Sequence, residues 1–175
     1  SVIGYSAHHT PIPAPDLIPG TIKYLSILRK GFCALKTDDS VNCAGRNLEG
    51  QLGGKVKIGN SIFTQVSGLT KGTTAEITSG VYYTCALKKD DSVICWGENG
   101  QGQLGDGTYF FKYAPVSVLG LGVGTTAAIS ASGGFSEITC ALKKDGFVAC
   151  WPGGEKGRDG RPTKRVPTTV PLIGQ

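Results

Sequence analysis

The residues of this chain best suited to chemistry are six cysteines, and they recur in phase as three pairs: Cys33 and Cys43, Cys85 and Cys95, Cys140 and Cys150. Each pair brackets nearly the same segment. Cys33-Ala-Leu-Lys-Thr-Asp-Asp-Ser-Val-Asn-Cys43 is followed by Cys85-Ala-Leu-Lys-Lys-Asp-Asp-Ser-Val-Ile-Cys95 and by Cys140-Ala-Leu-Lys-Lys-Asp-Gly-Phe-Val-Ala-Cys150. Thiols can bind zinc, attack as nucleophiles or pair as disulfides. Zinc is disfavoured, because no pair has the short ligand spacing of structural zinc sites and only His8 and His9 could supplement them. Catalysis is disfavoured too: no cysteine has a histidine near it in sequence, and every one has a counterpart in the other segments. Of the many pairings that six cysteines allow, the repeat selects the one within each segment. Disulfides persist in oxidising compartments, which points outside the cytoplasm: extracellular, cell-surface or periplasmic. Six buried free thiols in a cytosolic protein are the alternative, since cysteine is also a common small core residue.

Other candidate chemistry is thinner. The pairs Asp38-Asp39 and Asp90-Asp91 could offer oxygens to calcium, but turn chemistry accounts for them without an ion. The loop from Glu98 to Thr108 has too few acidic ligands for a calcium loop. Its glycines lack the strand–loop–helix setting of a phosphate site. His8 and His9 sit in a loop-like segment beside Thr10 and Pro11, with no serine or acid placed to complete a triad. The expectation is therefore no catalytic residue, no metal and no cofactor.

The elements that carry the cysteines read as strands. Apolar and polar residues alternate in Gly72-Thr-Thr-Ala-Glu-Ile-Thr-Ser-Gly80, Tyr82-Tyr-Thr-Cys-Ala-Leu-Lys88 and Ser92-Val-Ile-Cys-Trp-Gly97, bounded by Gly, Pro, Asn or Asp. Cys85 and Cys95 are symmetric about Asp90, so a three-residue loop joins their strands. Such a loop combines a type I turn with one residue in the left-handed region. That residue is predicted to be Asp39, Asp91 or Gly146 in the three hairpins. Counting outward from Lys88 and Ser92 makes each cysteine pair a non-hydrogen-bonded pair, with Cα atoms ~4.5 Å apart.

The bulk numbers agree with short strands and many turns: 175 residues, 27 glycines, 9 prolines and 8% aromatics. No apolar run is long enough to span a bilayer. There is no methionine at all, so the expectation is a mature, excised or processed chain from which a leader could already be gone. The net charge of +5 is modest and supports solubility more than a polyanion partner. It is concentrated in Glu155-Lys-Gly-Arg-Asp-Gly-Arg-Pro-Thr-Lys-Arg165.

A period of about fifty residues marks a repeat architecture. The string from Cys85 through Cys95-Trp-Gly, Gly102-Gln-Leu-Gly105 and Asp106-Gly-Thr108, with Pro115-Val116 following, resembles the repeat of the regulator of chromosome condensation family. It is most similar to cysteine-bearing bacterial versions. The resemblance covers nearly the whole chain and implies an all-β fold of propeller-type blades, each of about four antiparallel strands. The departures are local. Ala44 stands where the other units have Trp96 and Trp151, Pro152 replaces Gly97, and Gly157-Arg-Asp-Gly160 replaces Gly-Gln-Leu-Gly. The family's tryptophan usually packs between blades, so Trp96 and Trp151 are expected to be packing residues. The expected organisation is one array over 1–175: the tail of a preceding unit (1–12), repeats at 13–62, 63–114 and 115–166, and the head of a following unit (167–175).

Three blades leave two open edges, so the chain is expected to be part of a larger propeller or a subunit that self-assembles into a ring or filament. The functional expectation is a non-catalytic binding or scaffolding module outside the cytoplasm. Family likeness alone adds guanine-nucleotide exchange as an alternative. The expected partner is a protein or a further copy of the chain. Tyr109, Phe110, Phe111 and Tyr113 are the candidate protein contact if exposed, and a seal between blades if buried. Lys156, Arg158, Arg161, Lys164 and Arg165 are the candidate contact for an acidic surface polymer, with a solvated loop as the plainer reading. Nucleic acid is disfavoured as a partner.

Overall fold

A computed structural model of the chain describes residues 3–5, 11–13, 18–54, 63–134, 137–156 and 162–170. It is all-β. A short ladder pairs β1 (Ile3–Tyr5) with β2 (Pro11–Pro13). The first blade holds β3 (Ile22–Leu28), β4 (Gly31–Lys36), β5 (Val41–Gly45) and β6 (Thr64–Gln65). The second holds β7 (Thr74–Ser79), β8 (Tyr83–Lys88), β9 (Val93–Gly97) and β10 (Lys112–Ser117). The third holds β11 (Thr126–Ala131), β12 (Thr139–Lys143) and β13 (Val148–Trp151). A hairpin of β14 (Gly153–Lys156) and β15 (Pro162–Lys164) then intervenes before β16 (Thr168–Thr169) completes that sheet. Each blade is a four-stranded antiparallel meander, as the alternation predicts.

The central hairpins have the geometry that their spacing implies. The N–H of Lys88 donates to the Ser92 carbonyl at 2.9 Å, and Asp91 has a φ of 63°. Asp39 has the same φ of 63° and Gly146 one of 88°, all in the left-handed region that only glycine and a few polar residues occupy readily. The first aspartate of each turn caps it. Asp38 Oδ1 accepts from the Ser40 N–H at 3.1 Å and hydroxyl at 2.6 Å, and Asp90 does the same with Ser92. A lysine bond from Lys88, then Ser92, holds the Asp90 carboxyl down at about 2. The cysteines pair within each hairpin, with Cα atoms 4.1 Å apart in all three, a little inside the expected separation.

The core lies between blades and not within any one of them. The first cluster joins Cys33, Leu35, Val41 and Cys43 of the first blade to Ile77, Ala86 and Trp96 of the second. The next joins Cys85, Leu87, Val93 and Cys95 to Ile129, Ala141 and Trp151 of the third. Side-chain alternation explains this arrangement: each sheet has two faces, and at each of the two seams a face of one sheet is buried against a face of the next. The blades also meet at their first strands. The N–H of Ala131 in β11 donates to Thr78 Oγ1 of β7 at 2.9 Å.

Candidate functional site

In the first and second blades the loop between the third and fourth strands forms a socket for the blade that follows. In Gly50-Gln-Leu-Gly53 the turn is pinned from within: the Leu52 N–H donates to Asn47 Oδ1 at 2.9 Å, and Gln51 Oε1 accepts from the Glu49 N–H at 3.0 Å. This presents the Gln51 carbonyl to Trp96, whose indole N–H donates to it at 2.9 Å. Gly53 lets the ring in, since a Cβ there would lie 2.8 Å from Trp96 Nε1. The second socket repeats the arrangement. Asn99 Oδ1 accepts from the Leu104 N–H, and the Gln103 carbonyl accepts from Trp151 Nε1 at 2.9 Å. Both tryptophans are fully buried, which matches the packing role expected of them.

A second link sits at the hairpin tips. Lys89 reaches back to Asp39 at 2.5 Å, and Lys144 reaches back to Asp91 at 2.5 Å. The bond from Lys89 is the main reason that the Asp39 carboxyl is held below its ordinary range. With Asp38 and Asp90 already satisfied in their turns, none of these carboxylates needs a cation. Among the described residues no group of histidine, cysteine and acidic side chains could hold a metal.

The Asp-Gly-Thr motif closes the second socket. Asp106 Oδ1 accepts from Asn99 Nδ2 at 3.0 Å, from the Thr108 N–H at 2.9 Å and from its hydroxyl at 2.8 Å. Lys112 Nζ lies 3.2 Å from the other oxygen. Burial pushes this carboxyl up, and these bonds more than offset it. The first blade has Gly54 at the corresponding place, and there the buried Asn47 Nδ2 has no partner among the described residues.

The aromatic run lies directly after that motif, and the structure divides it. Tyr109 and Tyr113 are anchored in opposite directions. Tyr109 Oη donates to the Pro162 carbonyl of the third blade at 2.6 Å, while Tyr113 Oη donates to the Leu48 carbonyl of the first at 2.9 Å. Between them Phe110 and Phe111 stand out, 75% and 46% exposed. The run is therefore neither wholly a seal nor wholly a free patch: two hydroxyls clamp it across both seams, and two phenyl rings face outward. The basic stretch meets it at one end. The Arg165 guanidinium sits 4.8 Å from the Tyr109 ring centre, a cation–π distance, and Lys164 beside it is exposed. Of the remaining basic candidates, Lys156 ends β14, while Arg158 and Arg161 lie outside the described residues, as do His8 and His9.

One carboxylate was invisible to sequence reasoning. Glu137, in a segment without a counterpart in the other units, accepts a hydrogen bond from Gln103 Nε2 across the second seam. Burial, then the charge of Glu98, pushes its carboxyl up to about 7. Glu98 is raised in turn, by burial and then by Glu49.

Comparison with known proteins places these features. Residues 75–103 and 90–140 match profiles of the Regulator of chromosome condensation (RCC1) repeat. The chain is 33% identical over 118 residues to the mitochondrial RCC1 domain-containing protein RUG3 of Arabidopsis thaliana, a match covering 66% of this chain and 26% of that protein. Among solved structures, human WBSCR16 superposes with a TM-score of 0.74 at 20% identity, over 99% of this chain and 46% of that one. Yeast RCC1 (Prp20) bound to Kap60 gives 0.70 at 22% identity, over 94% and 40%. Prp20p from Saccharomyces cerevisiae, described with its binding to Gsp1p and histones, gives 0.67. The chain thus spans about a quarter of its curated relative's length and under half of these structures.

Proposed function

From a chain built of RCC1-type repeats, we propose a non-catalytic protein-binding or scaffolding module that works outside the cytoplasm. The observation that carries this reading is the aromatic loop 109–113. Its two tyrosines fix it to the blades on either side, and its two phenylalanines are left to solvent. Exposed apolar rings on a loop already immobilised lose little entropy on binding, and aromatic residues dominate interface hot spots. Yeast Prp20 is described with the protein partners Kap60, Gsp1p and histones, which supports a protein as the class of partner. The extracytoplasmic placement rests on three disulfides, which persist under oxidising conditions. Among the described residues no helix is long and apolar enough to cross a membrane.

Two measurements test this. A photo-crosslinking residue at Phe110, in the cells that make the protein, is expected to give a discrete protein adduct that the same residue at exposed Val123 does not. An identical adduct pattern from both positions overturns the binding role. Alkylation of the protein before reduction is expected to label none of its cysteines, and labelling of all of them removes the extracytoplasmic placement.

A further inference from the structure

The two ends of the array carry charge differently. The turns of the central hairpins lie at one end, and charge there is matched. Lys36, Lys88 and Lys143 pair with aspartates of their own turns, while Lys23, Lys89 and Lys144 pair with Asp39 or Asp91. The loops between third and fourth strands lie at the other end, with the aromatic run among them. There Lys164 and Arg165 are exposed and have no ion pair among the described residues.

Arg165 is unpaired but held in place. Its guanidinium lies 4.8 Å from the centre of the Tyr109 ring, and its stem runs against Gly102, where a Cβ would come within 3.0 Å of Arg165 Cγ. Tyr109 is itself tied to the Pro162 carbonyl, in the segment that leads to this arginine. A fixed cation therefore covers the ring next in sequence to Phe110, and Phe110 is 75% exposed.

We propose that Phe110, Phe111 and Arg165 form one site, and that its ligand is a short acidic segment of a partner protein. This rests on the protein-binding reading of the aromatic loop and adds the chemistry of the partner. An apolar side chain of the segment covers the two phenyl rings, and a carboxylate meets the guanidinium along its edge. The planar guanidinium offers a fork of N–H donors that matches two carboxylate oxygens, and stacking on a ring leaves that edge available. An exposed ion pair contributes little by itself. Covering the rings removes water from beside the pair and so strengthens it.

The remaining charge on this end limits the ligand to a short one. Glu49, Glu98 and Glu137 lie there too, also without an ion pair among the described residues. The Glu98 N–H donates to the Tyr82 carbonyl at 3.0 Å, which sets this residue towards the first strand of its sheet, where the blades meet. Phe110 and Phe111 precede β10, at the opposite edge. A long polyanion or an anionic bilayer laid across this end would meet those carboxylates. A segment of a few residues at the outer rim avoids them.

The test pans a phage-displayed random-peptide library on the whole chain and measures the recovered peptides, made synthetically, by fluorescence anisotropy. They are expected to join an apolar residue to aspartate or glutamate. Arg165→Glu and Phe110→Ser are each expected to weaken them by at least about tenfold. Exchange of the peptide's acidic residue for lysine is expected to restore binding to the Arg165→Glu chain. Weakening by Phe110→Ser alone overturns the acidic partner and leaves the loop a protein-binding site. Weakening by Arg165→Glu alone overturns the shared site. Peptides indifferent to both variants, or a selection that recovers none, overturn the proposal together with the binding role of the loop. Binding to vesicles of phosphatidylcholine and phosphatidylserine that Arg165→Glu abolishes would make a membrane the occupant and overturn the assignment.

Discussion

Trp96 donates its indole N–H to the carbonyl of Gln51 at 2.9 Å, and so completes a blade that is not its own. Trp151 does the same with Gln103 one unit later. The ring and the donor contribute separately. Trp96→Phe keeps most of the packing and leaves a buried carbonyl unpaired, for a loss of about 1–3 kcal/mol. Trp96→Ala also opens a cavity and is expected to cost about 3–5 kcal/mol. Chemical denaturation measures both, and a phenylalanine variant as stable as the parent would remove the hydrogen bond from the account.

The buried Asn47 Nδ2, without a partner among the described residues, can be given one. Asn99 Nδ2 is satisfied by Asp106, and Gly54 occupies the equivalent place in the first blade. A Cβ at Gly54 meets nothing closer than 3.5 Å. Gly54→Asp is therefore expected to stabilise the chain by about 1 kcal/mol, the net worth of a typical hydrogen bond. Asn47→Ala made in the same background should cancel the gain. A rise in stability that survives Asn47→Ala would show that the new carboxylate acts through something else.

The three disulfides are chemically alike and differently covered. Cys33, Cys43, Cys85 and Cys95 are fully buried under the next blade, while Cys140 and Cys150 are half-buried. A thiolate must reach the sulfur to exchange with it. Graded reduction with thiol labelling and peptide mapping is expected to open Cys140–Cys150 first. Equal rates for all three, or earlier opening of Cys85–Cys95, would contradict the burial order. The loss of stability on opening it should stay under about 3 kcal/mol, the chain-entropy value for so short a loop.

Glu137 gives the second seam a pH dependence. Its carboxyl is raised from an ordinary 4.5 to about 7, by burial first and by Glu98 second. The folded chain therefore holds this proton more tightly than the unfolded chain does, and stability falls as pH rises from 4.5 to 7. Glu137→Gln keeps an acceptor for Gln103 Nε2 and removes the charge. Its melting temperature is expected to match the parent's at the acid end and to exceed it progressively towards pH 8. Parallel melting curves across the range would show that Glu137 does not titrate as described.

The sequence and the structure agree best where contacts are local. The left-handed residue at Asp91 follows from counting within one hairpin, because a three-residue loop leaves few backbone solutions. The cysteine register follows from the same count. The partners of Trp96 and Trp151 were not legible in this way, since each is a backbone carbonyl 45 or 48 residues distant and carries no side-chain signature. The Gly-Gln-Leu-Gly motif hid its purpose for the same reason: its second glycine, Gly53 or Gly105, makes room for a ring that belongs to the next unit. Glu137 was out of reach because its segment has no counterpart to compare. The aromatic run was legible as a feature but not in its orientation, which depends on two tyrosine hydroxyls reaching opposite neighbours.

The placement of donor and acceptor in successive units bears on how such a gene can change length. The second unit brings Trp96 for its predecessor and the Gln103 carbonyl for its successor, while the first has Ala44 at the tryptophan position. A deletion of the second unit therefore removes one of each. Loss of the middle unit would leave Trp151 facing Gln51, two members of sets that already fit each other. Duplication works equally well in reverse. Unequal recombination could thus shorten or lengthen the array without any compensating substitution.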